Sequence, residues 1–156
     1  MMKNLKKALK LWASGVTVVT TKSEKLGVQG MTVTSFSSVS LEPHQILVCL
    51  NQNTETQAGV FEAQAFAVNV LTINQETVSN QFAGGASQEE RFANVSWHEG
   101  KTGMPVFDKA LVSIECTVAE KILAGTHWVI IGNVEQIKCH SGDPLLYYNS
   151  EYSRLA

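Results

Sequence analysis

GMTVTSFSSVSLEP, residues Gly30 to Pro43, opens with Met31 and Val33 on one side and Thr32 and Thr34 on the other. That period of two is the signature of a β-strand. The run then becomes rich in hydroxyls: Ser35, Ser37, Ser38 and Ser40, spaced by Phe36, Val39 and Leu41, with no charge before Glu42. Small hydroxyl side chains let a partner approach the backbone closely. The lack of charge suits a planar ligand, polar at its edge, held by main-chain groups and hydroxyls. An ordinary half-buried strand and turn accounts for the same pattern, so the stretch alone does not choose between them.

Outward from this stretch the chain reads mostly as strands. On its N-terminal side, Gly15–Thr21 (GVTVVTT) is β-branched and apolar, Lys22–Lys25 is a charged turn, and Gly27–Thr34 is the next strand. On its C-terminal side Pro43 marks a break, and Gln45–Asn51 (QILVCLN) is apolar enough for a central strand. Ala65–Leu71 is another strand. Leu111–Lys121 alternates, with Val112, Ile114, Cys116 and Val118 on one face and Ser113, Glu115 and Thr117 on the other. Gly125 is a turn. Thr126–Lys138 is a long strand in which Gly132 marks a bulge or bend, and Leu145–Tyr148 is a last short strand. Helical spacing covers Leu5–Trp12, Thr54–Phe61, Thr72–Ala83 and Ser87–Phe92, with Gly84 and Gly85 stopping the third. Asn94–Pro105 reads as irregular, anchored by Trp97. Because the helices are short insertions and do not alternate with the strands, a doubly wound parallel sheet is excluded. The pattern predicts a mainly β fold, an antiparallel barrel whose closure removes edge strands.

At 156 residues the chain fits one domain, residues 1–156, with 44% hydrophobic and 17% charged residues, a globular composition. A net charge of −2 lacks the basic face of a nucleic-acid binder. The three cysteines, Cys49, Cys116 and Cys139, are widely spaced and form no C-x-x-C, which excludes a zinc ribbon or thioredoxin-type site. Cys49 and Cys116 sit in apolar strands and read as small buried hydrophobes, at home in a reducing cytoplasm. No run is apolar enough to span a membrane. Lys6, Lys7 and Lys10 interrupt the N-terminal segment too often for a signal peptide. Leu5, Ala8, Leu9 and Trp12 instead predict a short amphipathic helix docked on the domain.

Several features carry chemistry. In Asn51–Gln57 (NQNTETQ), Thr54 followed by Gln57 forms a capping box, so the first-turn amides and the hydroxyls of Thr54 and Thr56 make an anion site suited to a phosphate monoester, with Glu55 a competing charge. Ser87 and Glu90 form a second box, and Arg91 after it can donate in bidentate fashion to a phosphate. His44, His98 and His140 have no metal-ligand spacing. His127 begins a strand after the Gly125 turn, where it can reach a ligand at a barrel mouth. There is no G-x-S-x-G, H-E-x-x-H, Walker A or G-x-G-x-x-G sequence, so nicotinamide chemistry here would proceed without a Rossmann fold.

In order and spacing these pieces resemble the flavin reductase-like family, the short-chain flavin reductases of two-component monooxygenases. The resemblance spans Leu5 to Leu155. It rests on ASGVTVVTT (Ala13–Thr21), GMTVTSFSSVSLEP, ILVCLN (Ile46–Asn51), FAVNVL (Phe66–Leu71), RF (Arg91–Phe92), GTHWVIIGNVE (Gly125–Glu135) and DPLLYYNSEYSRL (Asp143–Leu155). It implies a six-stranded Greek-key split β-barrel, an FMN-binding split barrel working as a homodimer with flavin near the interface. It also implies that Thr32, Val33, Thr34, Ser35, Ser37 and Ser38 line the isoalloxazine. Asn51, Thr54, Glu55, Thr56 and Gln57 would hold the ribityl chain and phosphate, with Arg91 and Phe92 nearby. His127, Tyr152 and Arg154 would lie on the nicotinamide side. Thr126 stands where an acidic residue often precedes the histidine, and His44 where a second proline is common.

The resemblance implies FMN, with FAD open, NADH or NADPH as donor, and a monooxygenase component as recipient of reduced flavin. Hydride transfer from nicotinamide C4 to flavin N5 needs no protein acid or base, which agrees with the lack of any catalytic constellation. Two alternatives belong to other classes. One is an electron-transfer flavoprotein that keeps its FMN and takes no electrons from nicotinamide; the other is a binding or assembly barrel without flavin.

Overall fold

The computed structural model describes residues 4–156. In chain order its elements are α1 (Leu5–Lys10), β1 (Ser14–Gly15), β2 (Thr17–Ser23), β3 (Gly27–Val33), β4 (Phe36–Leu41), β5 (His44–Asn51), α2 (Glu55–Ala63), β6 (Ala65–Val70), α3 (Glu76–Phe82), α4 (Gln88–Ala93), β7 (Trp97–Glu99), β8 (Pro105–Phe107), β9 (Val112–Ala124), β10 (His127–Cys139), β11 (Leu146–Tyr148) and β12 (Glu151–Ser153). The fold is mainly β with short helices, as the sequence predicts.

The main sheet has seven strands in the order β3-β2-β6-β9-β10-β5-β4, all paired antiparallel. That is one strand more than the six the resemblance implies. The serine-rich segment is itself a strand, β4, running back along β5 with a register shift between Ser38 and Ser40. β3 and β4 are opposite edges of the sheet, yet only Thr34 and Ser35 separate them in the chain. Successive Cα atoms are about 3.8 Å apart, so Val33 and Phe36 lie within roughly 11 Å. The sheet therefore rolls until its edges meet at this corner, where Cys49 N–H donates to the Ser35 carbonyl at 3.1 Å.

Rolling buries both faces of β2. Val19 joins Val48, Leu50, Phe66, Val68, Cys116 and Ile130 in one core. Its neighbour Val18 joins Val16, Leu71, Phe82, Phe92, Phe107 and Leu145 in a second core that contains α3 and α4 side chains. This explains the unbroken apolar run in GVTVVTT, since each fully buried side chain contributes ~1.5–3 kcal/mol whichever face it takes. Gly132 sits at a register shift of β10, and a Cβ there would lie 2.7 Å from Cys116 Cβ and Phe66 Cζ. The expected bulge is present, and close packing excludes a side chain. Buried Asn69 binds four partners: its Nδ2 donates to the Val18 carbonyl and Thr20 Oγ1, and its Oδ1 accepts from Phe107 N–H and Ser113 Oγ.

Other elements depart from expectation. The helical pattern over Thr72–Ala83 splits into a 3₁₀ turn, Ile73–Gln75, and α3, because Thr72 and Gln75 form a capping box of their own. Within the stretch read as irregular, Trp97–Glu99 pairs with Pro105–Phe107 as a β7–β8 hairpin. The C-terminal tail folds as β12, and β1, β11 and β12 make a small separate sheet. Left-handed Asn149 and Ser150 (φ 52° and 66°) turn the chain between the last two strands. The N-terminal helix does not dock its apolar face. α1 buries no residue, and Leu5, Leu9 and Trp12 are 60%, 62% and 76% exposed. A cleft lies between this segment and the rolled sheet. No helix among the described residues is long and apolar enough to cross a membrane.

Candidate functional site

Two clefts adjoin the corner where the sheet edges meet. Thr34 lines one and Thr32 the other. The first, about 670 Å³, has one wall from Thr34, Ser35, Phe36 and Ser37 with Leu47 and Cys49 of β5. Its other wall comes from both ends of the chain: Lys6, Leu9, Lys10, Trp12 and Ser14 from one, Tyr147 and Ser150 from the other. The hydroxyl of Ser35 donates to the Cys49 carbonyl at 2.8 Å and that of Ser37 to the Ser38 carbonyl at 3.0 Å. Thr34 is exposed and its hydroxyl has no partner among the described residues. β4 is an edge strand, so half of its main-chain N–H and C=O groups face away from β5. The wall thus offers hydroxyls and main-chain donors beside apolar surface, as a planar ligand with a polar rim requires. Burial pushes the Cys49 thiol up, keeping it neutral in this wall.

The second cleft, about 320 Å³, lies between the start of α2 and the loop joining α3 to α4. Thr54 caps α2: its Oγ1 accepts from Gln57 N–H at 3.3 Å and donates to the Asn51 carbonyl at 2.8 Å. The reciprocal bond expected from the Gln57 side chain is not made, and that side chain is buried. As at any helix start, the first-turn amides of Glu55 and Thr56 lack intrahelical partners. Thr56 lines the cleft, is 1% exposed, and its buried Oγ1 has no hydrogen-bond partner among the described residues. Such an orphan is destabilising unless a ligand satisfies it. Arg91 enters from α4. Its Nε donates to the Ala86 carbonyl at 3.1 Å and its Nη1 to the Gly30 carbonyl at 2.7 Å, leaving further guanidinium donors for an anion. Free amides, an orphan hydroxyl and a braced guanidinium converge here, and this donor set fits the phosphate of FMN.

The remaining candidates take different places. Asn51 stands directly opposite His127 in the β5–β10 register, and Gln52 N–H donates to the Thr126 carbonyl at 3.0 Å. The fold therefore brings His127 beside Asn51, a pairing 76 positions apart in sequence (127 − 51). The His127 ring meets Thr126 Oγ1 through Nδ1 at 2.9 Å and is exposed, outside the lining of both clefts. Thr32 donates to the Ser79 carbonyl at 2.6 Å. Val33, Gln57 and Phe92 are buried and brace the walls; Phe92 packs edge-on against Phe82 and Trp97. Ser38 is exposed on β4 just beyond the first cleft. Tyr152 turns onto α3, and Arg154 lines a separate depression with Glu76.

Sequence reasoning missed Trp12, Tyr147 and Cys49 as wall residues, since nothing local marks them. It also missed Gln88, whose Oε1 accepts from Gly30 N–H at 2.8 Å, and read Gly84 and Gly85 only as a helix stop. The Gly-Gly pair was the available signal: both residues take positive φ (147° and 78°), a loop that glycine shapes, and Gly84 lines the second cleft.

Residues 9–156 match the family model described as flavin reductase like domain. A curated relative, the FMN reductase (NADH) RutF of Pseudomonas syringae, is 36% identical over 144 residues, 92% of this chain and 80% of its own length. The reductase subunit HsaB of a flavin-dependent monooxygenase from Mycobacterium tuberculosis is 33% identical over 145 residues, 91% of this chain and 76% of its own. The solved structure of the flavin reductase PheA2 in its native state superposes with a TM-score of 0.90 at 36% identity, covering 100% of this chain and 99% of that one.

Proposed function

The chain belongs to the flavin reductase-like family, and on that footing we propose that it is an NADH-dependent flavin reductase. It takes FMN as its flavin and supplies reduced flavin to a monooxygenase component. The observation that carries the FMN reading is the buried, unpartnered Thr56 Oγ1 at the start of α2, in one cleft with Arg91. NADH as donor and a monooxygenase as recipient are supported by the names of the relatives.

In this reading Thr54, Thr56 and Arg91 hold the phosphate, and the free carboxamide donors of Asn51 meet the ribityl chain. Thr34, Ser35 and Ser37 with the outer edge of β4 receive the isoalloxazine rim. Held there, the flavin would supply the hydride-accepting chemistry and the nicotinamide nucleotide the hydride. The chain itself places rings and excludes solvent. The apolar side chains of Leu47 and Phe36 on one wall and Trp12 on the other keep water from the first cleft, and the small hydroxyl side chains leave room for two rings at near-attack separation, about 3–3.5 Å. Main-chain N–H groups on the outer edge of β4 would favour the electron-rich reduced form of a bound flavin. His127, beside Asn51, orients the nicotinamide nucleotide.

We read the rolled seven-strand sheet as the split barrel of this family, with the meeting of β3 and β4 in support. We read the working unit as a homodimer. The exposed Leu5, Leu9, Leu11 and Trp12 support it, since this apolar face borders the first cleft and a second copy would cover it. The testing experiment is anaerobic mixing of protein, FMN and NADH or NADPH. Rapid bleaching of the flavin is expected with NADH; no bleaching with either nucleotide overturns the reading and favours the electron-transfer alternative.

A further inference from the structure

Besides the short run from Thr32 to Thr34, which lines one cleft at each end, a second route through Tyr152 links the two clefts. Tyr152 faces Tyr147 across the β11–β12 register, their rings 5.3 Å apart at 63°, and Tyr147 lines the first cleft. The Tyr152 hydroxyl lies 2.8 Å from Asn80 Oδ1 and 2.7 Å from Ser79 Oγ. A carboxamide oxygen can only accept, so the single phenolic proton goes to Asn80, and Ser79, itself fully buried, must donate to Tyr152. The carbonyl of the same Ser79 accepts from Thr32, which lines the second cleft. A continuous path of contacts therefore runs Tyr147–Tyr152–Ser79–Thr32, from one cleft to the other.

The wall that Tyr147 belongs to is tied to the rest of the fold through buried Val16 and Leu145, where Leu71 N–H donates to the Val16 carbonyl at 2.9 Å and Leu145 N–H to the Leu71 carbonyl at 3.0 Å, and through the side chain of Tyr152. It is built from the chain ends, held together by the β1–β11 pairing and by Asn149 N–H donating to the Lys10 carbonyl at 2.7 Å. Resting on the reading above, in which flavin spans both clefts, we propose that Tyr152 is a positioning residue. Its hydroxyl fastens the terminal wall of the ring cleft to α3 and so sets the spacing between the ring cleft and the phosphate cleft. Tyr152 touches neither ring nor phosphate; it acts through Ser79 and Tyr147.

The consequence is selective. A ligand that fills both clefts depends on their spacing, and a ligand that fills only the ring cleft does not. Tyr152→Phe removes both hydrogen bonds and keeps the edge contact with Tyr147. Binding is read by fluorescence quenching with FMN, which has ring and phosphate, and with lumiflavin, which has the ring alone. We expect the FMN Kd to rise about tenfold, equivalent to ~1.4 kcal/mol, while the lumiflavin Kd stays within about twofold. Ser79→Ala combined with Tyr152→Phe should be no worse for FMN than Tyr152→Phe alone, because both act on one bond. Unchanged FMN affinity, or equal losses for FMN and lumiflavin, would overturn the role of Tyr152. Failure of the wild-type protein to quench FMN at all would instead overturn the flavin reading on which it rests.

Discussion

Replacing Thr56 with valine should make the protein more stable and worse at binding FMN. In the ligand-free chain the Thr56 hydroxyl is buried and unpartnered, so it bears a desolvation penalty with no compensating bond. Such penalties run to about 1–3 kcal/mol. Valine keeps the β-branch, fills nearly the same volume and has a helix propensity close to that of threonine. Removing the orphan should therefore raise stability by roughly 1–2 kcal/mol. In a chain of this size each kcal/mol moves Tm by about 2–4 °C. FMN affinity should move the other way. A hydrogen bond to a charged phosphate contributes ~1.5–3 kcal/mol, so the FMN Kd should rise about 10- to 100-fold, with riboflavin, which lacks the phosphate, unaffected. The assays are thermal unfolding of the apoprotein and fluorescence quenching with the two flavins. A lower apo Tm would refute the orphan hydroxyl, and equal weakening of FMN and riboflavin would refute the phosphate assignment.

Three further outcomes test other parts of the structure. His127→Ala should raise the KM for NADH several-fold with FMN affinity little changed; an unaltered KM removes His127 from the nicotinamide side. Gly132→Ala forces a Cβ to within 2.7 Å of Cys116 and Phe66, so overpacking should lower stability by about 1–3 kcal/mol, and a wild-type denaturation midpoint would contradict the close packing. Burial, reinforced by the charges of Glu135 and Glu115, pushes the Cys116 thiol up to about 12. The unfolded chain ionises this thiol near its ordinary value of 9.0 and the native chain does not, so its stabilising contribution is complete below pH 9 and declines toward 12. The decline attributable to it should approach ~1.4 kcal/mol per pH unit. Urea midpoints from pH 8 to 10.5 should fall more steeply in the wild type than in Cys116→Ala; parallel slopes would refute it.

What the sequence determined by itself are the features whose physics is local. Period-two alternation marks β3 and β9 because a strand's two faces see different surroundings within a few residues, and β-branched or apolar runs mark β2, β5 and β6 because central strands are covered on both faces. Thr54 announces the start of α2, and Gly132 the bulge, because a cap and a close backbone approach each require a residue type at one position. The anion-binding end of the site was legible for the same reason, since the helix start supplies its own donors. The tertiary structure alone decided the rest. Only strand pairing makes β4 the seventh strand and sets His127 opposite Asn51, and only the packing of the chain ends against the sheet builds the ring cleft from Trp12, Cys49 and Tyr147. Only packing shows that Thr32 is bound to Ser79, that Phe92 belongs to the core, that Tyr152 turns onto α3 and that α1 leaves its apolar face uncovered. These depend on which residues far apart in the chain share a surface. No run of neighbouring residues encodes that, because the energy of burial counts area and not sequence distance.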